Sequence, residues 1–252
     1  MTPHVLAAPH VDKAAAALSA GGRFQFTARQ LYYELIRRGA LPAAGSPRDE
    51  ALNVFQVSLD AHERAAGPVP NLIHPDPTAL KTREISAPEA LDFAVPRVLV
   101  TDRLDLFLFF AMNGFHRKIE MALLLWPELP SYVWQCLLAQ LRAGLTTSFH
   151  VVHDADRAGY HLRESVRAAL ADHGAPDVAN VGLTFGQAAS LSVPVRSAET
   201  GEVVSSFRGF ESESGPLLSR GAYADIEELA PLALLRWAYS RVSKGHEEIG
   251  FG

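Results

Sequence analysis

The sequence predicts an α/β protein in which an N-terminal helical module precedes a domain built around a parallel sheet. Residues 9 to 66 carry helical patterns separated by glycine and proline, whereas from Arg97 onward short β-rich runs alternate with longer helical segments. Strands that alternate with helices are typical of βαβ units and a parallel sheet. With 252 residues, of which 48% are hydrophobic, the chain is long and apolar enough to bury a core.

The N-terminal elements are predicted from their end signals. An alanine-rich segment ends at Gly21-Gly22, a short strand follows at RFQF, and helices are expected from Ala28 to Arg38 and from about Pro47 to Ala65. Proline and glycine then cluster in AAGPVPNLIHPDP. Three helices and a short strand in so few residues favour a winged-helix or plain helix-turn-helix module. We place this module at residues 1–75 and a linker at 76–96.

The second domain is expected to span residues 97–252. Its β-rich runs are RVLV, SFHVVH and VANVGLT, and its helical segments are Leu104 to Asn113, Ser131 to Ala143, Gly159 to His173 and the C-terminal IEELAPLALLRWAYSRV. This alternation predicts a Rossmann-like sheet covered by helices.

Composition and charge exclude several classes of protein. The net charge of −5 argues against a protein that coats nucleic acid by bulk electrostatics. The single cysteine, Cys136, excludes an intrachain disulfide and a cysteine-based zinc site. The first residues lack the basic region of a signal peptide, and the longest apolar runs are far shorter than the roughly 20 residues that a bilayer requires. We therefore expect a cytoplasmic protein without membrane contact.

The helix that carries Tyr33 has clear ends in the sequence. Thr27 and Gln30 have the spacing of a capping box, and Gly39 closes the helix. At about 100° per residue, the apolar side chains fall in one sector that includes Tyr32. We therefore expect Tyr32 in the core and Tyr33 exposed at the surface.

Tyr33 has an arginine one helical turn away on each side, Arg29 and Arg37. A phenol has an ordinary pKa of about 10, but adjacent cations favour the phenolate and can also hold a phosphate. The pattern is open to two interpretations at this point. Tyr33 is a nucleophile, or it is a surface residue that stacks on its neighbours.

A pair of acids follows the predicted strand SFHVVH. Asp154 and Asp156 project from the carboxyl end of that strand, and Gly159 is expected to let the chain turn into the next helix. Two acids at this spacing can hold Mg²⁺, which takes one or two carboxylates and keeps waters and substrate phosphates. The strand Val98 to Thr101 also ends in an acid, Asp102, and adjacent parallel strands would bring the acids together. In the alternative interpretation, Asp154 or Asp102 caps the following helix.

TARQLYYELIRRG, together with VLVTD and HVVHDADRAG, resembles the DNA-cleaving A subunit of type IIB topoisomerases (topoisomerase VI) and the related meiotic double-strand-break protein. In that family a winged-helix (CAP-like) domain carries an R-x-x-Y-Y motif, whose second tyrosine is the nucleophile. A TOPRIM domain supplies a glutamate after its first strand and a D-x-D-x-x-G motif. SLDAHERAAGPVPNLI also looks like the segment that follows the tyrosine motif in small bacterial relatives. The resemblance covers roughly Phe24 to Thr184.

The resemblance implies a role for each matching residue. Tyr33 is the nucleophile, Arg29 is its motif arginine, and Asp154 and Asp156 are the Mg²⁺ acids. Asp102 stands where the family has glutamate and is the third metal acid. The basic residues of the tyrosine helix, Arg29, Arg37 and Arg38, are expected to contact DNA.

The resemblance also implies a reaction and partners. Mg²⁺-dependent transesterification through Tyr33 would leave a 5′-phosphotyrosyl link on double-stranded DNA. Each subunit cuts one strand, so a twofold homodimer is expected, with Tyr33 reaching the metal of the partner subunit. A separate ATPase subunit is implied for strand passage, because the chain has no G-x-x-x-x-G-K-[ST] phosphate loop. A protein of this kind would be associated with the nucleoid.

Two further functions stay open. One is a Mg²⁺-dependent TOPRIM nuclease that uses the same acids with water as the nucleophile, so that Tyr33 is dispensable. The other is a non-enzymatic module that binds DNA or a partner and retains the scaffold after losing catalysis.

Overall fold

A computed structural model describes residues 6–43, 47–76, 94–174, 176–204 and 214–243. The chain folds as two compact units. The first comprises Met1–Ile73, Asp154–Arg157 and Leu183–Leu234, and the second comprises His74–His153, Ala158–Gly182 and Leu235–Gly252. The units are thus not the two consecutive stretches, 1–75 and 97–252, expected from the sequence. Most of the expected linker at 76–96 lies outside the described residues.

The described ranges contain helices and strands with the following bounds. The α-helices are α1 (Ala8–Ser19), α2 (Ala28–Arg37), α3 (Arg48–Ala66), α4 (Leu104–Met112), α5 (Phe115–Lys118), α6 (Ser131–Arg142), α7 (Arg157–Leu170), α8 (Phe185–Ser190), α9 (Ser214–Ser219) and α10 (Pro231–Val242). The strands are β1 (Arg97–Thr101), β2 (Ala122–Leu125), β3 (Ser148–Val151), β4 (Val178–Asn180), β5 (Arg196–Ser197) and β6 (Ala222–Tyr223). Two 3-10 turns span Ala171–His173 and Ile226–Glu228.

The second unit is built on a four-stranded sheet, which confirms the predicted parallel α/β arrangement. The strand order is β2-β1-β3-β4, and every neighbouring pair is parallel. Strand β2 is not among the predicted strands. Its sequence, ALLL, is a short apolar run without alternation, and such a run does not distinguish a buried strand from part of a helix.

Alternate residues of the central strands share the core of the second unit. Val98 and Val100 of β1 are buried on the same face as Phe149 and Val151 of β3. The helices supply the rest of this core, with Trp134 and Leu137 from α6 and Leu162, Val166 and Leu170 from α7. The helical segment predicted from Gly159 to His173 therefore contributes, as α7, to this core.

The first unit contains the three predicted N-terminal helices. Their core includes Val11 and Leu18 from α1, Leu31 and Leu35 from α2, and Phe55 and Leu59 from α3. The expected RFQF strand is absent from the described residues, where only Phe26 forms a single parallel bridge, with Leu72. This bridge still ties the start of α2 to the segment that follows α3, because Phe26 donates to Asn71 O at 3.0 Å.

None of the helices in the described ranges combines the length and the apolar character needed to cross a membrane.

Candidate functional site

Helix α2 begins at the predicted capping box. The Thr27 hydroxyl accepts the Gln30 backbone N–H at 3.2 Å, and the Gln30 side-chain oxygen accepts the Thr27 N–H at 3.1 Å. Both side chains also reach a segment far along the chain, since Thr27 donates to Glu227 and the Gln30 amide donates to Leu229 O at 3.0 Å. These contacts set the first turn of α2 against the segment 225–229, which carries three acids.

Tyr33 is buried, which corrects the prediction of an exposed phenol. Only 2% of the residue is exposed, and its hydroxyl donates to Asp225 Oδ2 at 3.0 Å. Tyr32, predicted to lie in the core, is half-buried, and its ring centre lies 5.1 Å from that of Tyr33. The apolar stripe predicts only which face of a helix meets apolar residues. The face of Tyr33 meets a polar segment from a distant part of the chain, which the stripe does not reveal.

The surroundings of Tyr33 favour the neutral phenol. Burial raises the pKa of Tyr33 well above its ordinary value, and the carboxylate of Asp225 raises it further, against the opposing effect of Arg48. The expectation that guanidinium groups would favour the phenolate is therefore wrong for this arrangement. The phenol serves as a hydrogen-bond donor.

Asp225 is the centre of the cluster that contains Tyr33. Its side chain is fully buried, and its Oδ1 atom accepts the Glu227 backbone N–H at 3.0 Å. The Oδ2 atom accepts hydrogen bonds from the Tyr33 hydroxyl at 3.0 Å, from Arg48 Nη2 at 2.8 Å and from Arg29 Nη1 at 3.1 Å. One carboxylate oxygen thus joins the two motif residues of α2 to the first residue of α3.

The predicted acid pair lies in the same cluster. Ala155 exchanges two backbone hydrogen bonds with Ala224, at 2.9 and 3.0 Å, so the acids on either side of it lie beside the segment that carries Asp225. The Asp154 Oδ1 atom accepts the Ile226 N–H at 2.9 Å. Because residues i and i+2 of an extended segment point to the same side, Asp154 and Asp156 can approach one partner.

That partner is Arg48. Its Nη1 atom donates to Asp156 Oδ2 at 2.7 Å, and its Nη2 atom donates to Asp154 Oδ2 at 2.7 Å and to Asp225 Oδ2 at 2.8 Å. The guanidinium carbon also lies 4.4 Å from the ring centre of Tyr223, a cation–π contact. Burial acts to lower the pKa of Arg48, but Asp225 and Asp154 outweigh it, so the pKa is raised and the group stays charged.

Arg48 and Asp225 were not predicted as site residues, although the sequence around each contains a feature that marks it as unusual. Arg48 is the first residue of α3, where the helix dipole opposes a positive charge, so a compensating contact was to be expected. Asp225, Glu227 and Glu228 interrupt an otherwise apolar stretch, and buried carboxylates are rare unless they are paired. Neither signal identifies the partner, because the residues are far apart in the sequence.

Two other predicted site residues, Arg37 and Arg38, form ion pairs at the surface. Both pair with Glu34, through Arg37 Nη2 at 2.7 Å and Arg38 Nε at 2.6 Å. Arg37 Nη1 also donates to Glu228 O at 2.8 Å. Their contact with DNA stays a prediction.

A second buried ion pair lies within the first unit. Arg196 Nε donates to Glu228 Oε1 at 3.0 Å, and Arg196 Nη1 donates to Ala43 O at 3.3 Å. Burial raises the pKa of Glu228 to about 7, although Arg196 opposes the shift. Glu228 therefore changes its charge near neutral pH.

The predicted turn at Gly159 is not observed, whereas Asp102 does lie at the carboxyl end of a sheet strand. Gly159 lies inside α7, which begins at Arg157, and its backbone is not in the left-handed region, so the expected glycine turn is not found there. Asp102 belongs to the second unit, where it is exposed and directly follows β1. The predicted adjacency of the two strands is confirmed, because β1 pairs with β3 in parallel.

The acid cluster does not fit Mg²⁺ as it stands. A magnesium ion needs oxygen ligands at about 2.0–2.1 Å in octahedral geometry. Oxygens of Asp154, Asp156 and Asp225 instead face the N–H groups of Arg48. Across the part of the chain that the structure describes, no group of three or more acids, histidines or cysteines is placed to hold a metal ion.

A cavity adjoins the cluster within the first unit. Its wall includes Tyr33, Arg48 and Tyr223 on the polar side and Leu52 and Phe55 on the apolar side. The buried phenol and the guanidinium therefore both line this cavity.

The fold and the cluster define an α/β protein with a parallel four-stranded sheet and, in its other unit, a partly buried network of one tyrosine, three aspartates and two arginines. Comparisons of the chain with protein-family models, with curated proteins and with solved structures find no match. The chemistry of the network is therefore the basis for a functional proposal.

Proposed function

We propose that the chain is a DNA-cleaving protein of the topoisomerase VI A-subunit type, in which Tyr33 attacks a phosphodiester bond. The observation that carries this proposal is the convergence of Arg29, Tyr33, Asp154 and Asp156 on one cluster. These residues come from two distant segments of the chain and match the two motifs of the resemblance. Arg29 Nη1 lies 3.9 Å from Asp154 Oδ2 and 3.1 Å from Asp225 Oδ2, and Tyr33 bonds the same Asp225 oxygen.

The proposed step exchanges one phosphate ester for another. A bond forms between the Tyr33 oxygen and phosphorus as the bond from phosphorus to the 3′ oxygen breaks, which leaves the 5′ end of the DNA on the protein. Asp225 Oδ2 already accepts the hydrogen bond of the phenol and is the atom placed to take its proton. The 3′ oxygen leaves as a hydroxyl after taking a proton from solvent. Reversal of the same exchange reseals the strand.

The described arrangement corresponds to a closed form of this site. The phenol, the carboxylates and the guanidinium groups satisfy one another, and the raised pKa of Tyr33 opposes loss of its proton. Cleavage therefore requires the network to open towards the neighbouring cavity before DNA can enter.

The finer assignments belong to the same proposal. The three N-terminal helices are consistent with a winged-helix domain, and the parallel sheet is consistent with a TOPRIM domain. Double-stranded DNA as substrate, Mg²⁺, a homodimer, a separate ATPase subunit and association with the nucleoid come from the resemblance. The role of Asp102 as a metal acid also comes from the resemblance alone.

A second candidate is a metal-dependent nuclease that uses the same acids with water as the nucleophile. The burial of Tyr33 and its raised pKa are the observations that support this second function. In that case Tyr33 positions Asp225 and does not react.

A single cleavage assay distinguishes these functions. Supercoiled DNA carrying a label is incubated with the protein and Mg²⁺, denatured, and tested for label on the protein. We expect the wild type and Tyr32→Phe to become labelled and Tyr33→Phe to remain unlabelled. Tyr32 is the matched control, because it neighbours Tyr33 on α2, its ring centre lies 5.1 Å from that of Tyr33, and it is less buried.

The other outcomes each select a different function. Cut DNA with free 5′ phosphates and an unchanged rate in Tyr33→Phe would establish the water-dependent nuclease. Binding of DNA without cleavage in any variant would leave the non-enzymatic module.

A further inference from the structure

We infer that Arg48 is the internal counter-cation of the acid cluster and that its pairing excludes a divalent cation from Asp154, Asp156 and Asp225. Bound Arg48 and a bound divalent cation are then alternative states of one site. This inference deepens the proposed function by stating how the same site is kept closed. Asp225 joins Asp154 and Asp156 as a carboxylate occupied by Arg48, a role that neither motif assigns to it.

The geometry makes the two states exclusive. The guanidinium donates to one oxygen of each of the three carboxylates at 2.7 to 2.8 Å. A metal ion bound by these acids would need oxygen lone pairs of the same carboxylates. Two positive groups cannot occupy the centre of the cluster together, because both their volume and their charge oppose it.

The charge balance of the cluster also supports the inference. Three carboxylates face the guanidinium groups of Arg29 and Arg48, so the cluster keeps a small negative excess. Loss of Arg48 alone would leave three buried or half-buried carboxylates with a single arginine. Removing one partner of a buried ion pair leaves an uncompensated charge, and uptake of a cation would compensate it.

The contacts of Arg48 outside the acid cluster are a backbone hydrogen bond and a ring contact, and one nitrogen of its side chain lacks a hydrogen-bond partner among the described residues. Its backbone N–H donates to Ala198 O at 3.0 Å, and its guanidinium packs on Tyr223. Its Nε atom is buried and has no hydrogen-bond partner among the described residues.

The test is a titration of the full chain with Mn²⁺, followed by electron paramagnetic resonance in the absence of DNA. We expect no binding to the wild type in the low millimolar range and affinity higher by about tenfold or more in Arg48→Gln. Arg64→Gln, an exposed arginine in the last turn of the same helix, is the control and should behave as the wild type. Adding Asp154→Asn to Arg48→Gln should abolish the gain.

Arg48→Lys provides a second variant if Arg48→Gln does not fold. A lysine keeps the charge but lacks the planar fork that bridges several carboxylates. We therefore expect Mn²⁺ affinity to rise in the order wild type, Arg48→Lys, Arg48→Gln. Circular dichroism confirms folding, and Mn²⁺ should raise the melting temperature of the variants that bind it.

Two results overturn the inference. One is tight Mn²⁺ binding by the wild type that Asp154→Asn removes, and the other is a folded Arg48 variant with no gain in affinity. These results are independent of the cleavage assay. Gain of Mn²⁺ binding without any DNA cleavage would support the inference and refute the proposed function, whereas cleavage with unchanged Mn²⁺ affinity would do the reverse.

Discussion

At the scale of the residue, the hydroxyl of Tyr33 is one of three donors to a single carboxylate oxygen. Removing it leaves Asp225 paired with two guanidinium groups, so Tyr33→Phe should fold and lose only one hydrogen bond to a charged acceptor. We expect its free energy of unfolding to fall by about 1–2 kcal/mol. Urea denaturation measures the change, with Tyr32→Phe as a control that should differ little from the wild type. An equal loss in both variants would mean that the Tyr33 hydrogen bond does not stabilise the fold.

Glu228 predicts a dependence of stability on pH. In the unfolded chain its carboxyl ionises near 4.5, whereas burial raises the pKa to about 7 in the folded chain. Between these values the folded chain holds a proton that the unfolded chain has lost. The stabilising contribution of the protonated group is therefore full below pH 4.5 and is lost as the pH rises towards 7.

This loss is measurable by urea denaturation at pH 5 and pH 8. The contribution of Glu228 should decrease by roughly 2.5 kcal/mol over this interval. Glu228→Gln should lose less stability than the wild type as the pH rises, whereas Glu164→Gln, an exposed glutamate of α7, should lose as much as the wild type. If the free energy of unfolding changed with pH equally in Glu228→Gln and in the wild type, the raised pKa of Glu228 would be contradicted.

The sequence identified the reactive residue types of the cluster but not their surroundings. Tyr33, Arg29, Asp154 and Asp156 could be selected because a local motif or spacing marks each of them. Asp225 and Arg48 could not be joined to them, because no local pattern records which distant charges meet. The exposure of Tyr33 was predicted wrongly for the same reason.

At the scale of the element, two capping boxes allow a direct comparison. Thr27 caps α2 and also donates to Glu227, whereas Thr184 caps α8 with the same pattern of backbone bonds. We expect Thr184→Ala to cost about 1 kcal/mol, as is usual for a cap, and Thr27→Ala to cost more because it also leaves a buried carboxylate without this donor. Thermal or urea denaturation of both variants measures the difference. Equal losses would show that the contact with Glu227 adds nothing.

Helices were predicted more accurately than strands. The observed α2, α3, α4 and α6 end within one or two residues of their expected bounds, since capping residues and apolar periodicity are local signals. The strand β2 has no local signal that separates it from a helical segment. RFQF has the composition of a strand, but only Phe26 finds a backbone partner among the described residues.

At the scale of the whole molecule, the resemblance expected Tyr33 to reach the metal of a partner subunit. Within the single chain of the structure, Tyr33 is joined to Asp154 and Asp156 through Asp225 and Arg48. We therefore predict that a mixture of Tyr33→Phe and Asp154→Asn proteins does not label DNA. Labelling restored by mixing would show that the acids act on the tyrosine of a partner chain.

The division into units is the part of the fold least accessible to sequence reasoning. The segment Asp154–Arg157, which contains the acid pair, belongs to the first unit, although the strand before it belongs to the second. Periodicity follows consecutive residues, so it assigns such a short segment to its neighbours in the chain. Long-range contacts, such as the Ala155 pairing with Ala224, decide its true place.

In the proposed reaction, the Tyr33 oxygen becomes covalently bound to DNA. This step is tested most directly by incubating the protein with DNA and Mg²⁺, digesting the DNA with nuclease and the protein with trypsin, and analysing the peptide QLYYELIR by mass spectrometry. We predict a nucleotide phosphate on the second tyrosine of this peptide, located by its fragment ions. Recovery of only the unmodified peptide from a reaction in which the DNA has been cut would contradict the proposed function. So would an adduct on Tyr32.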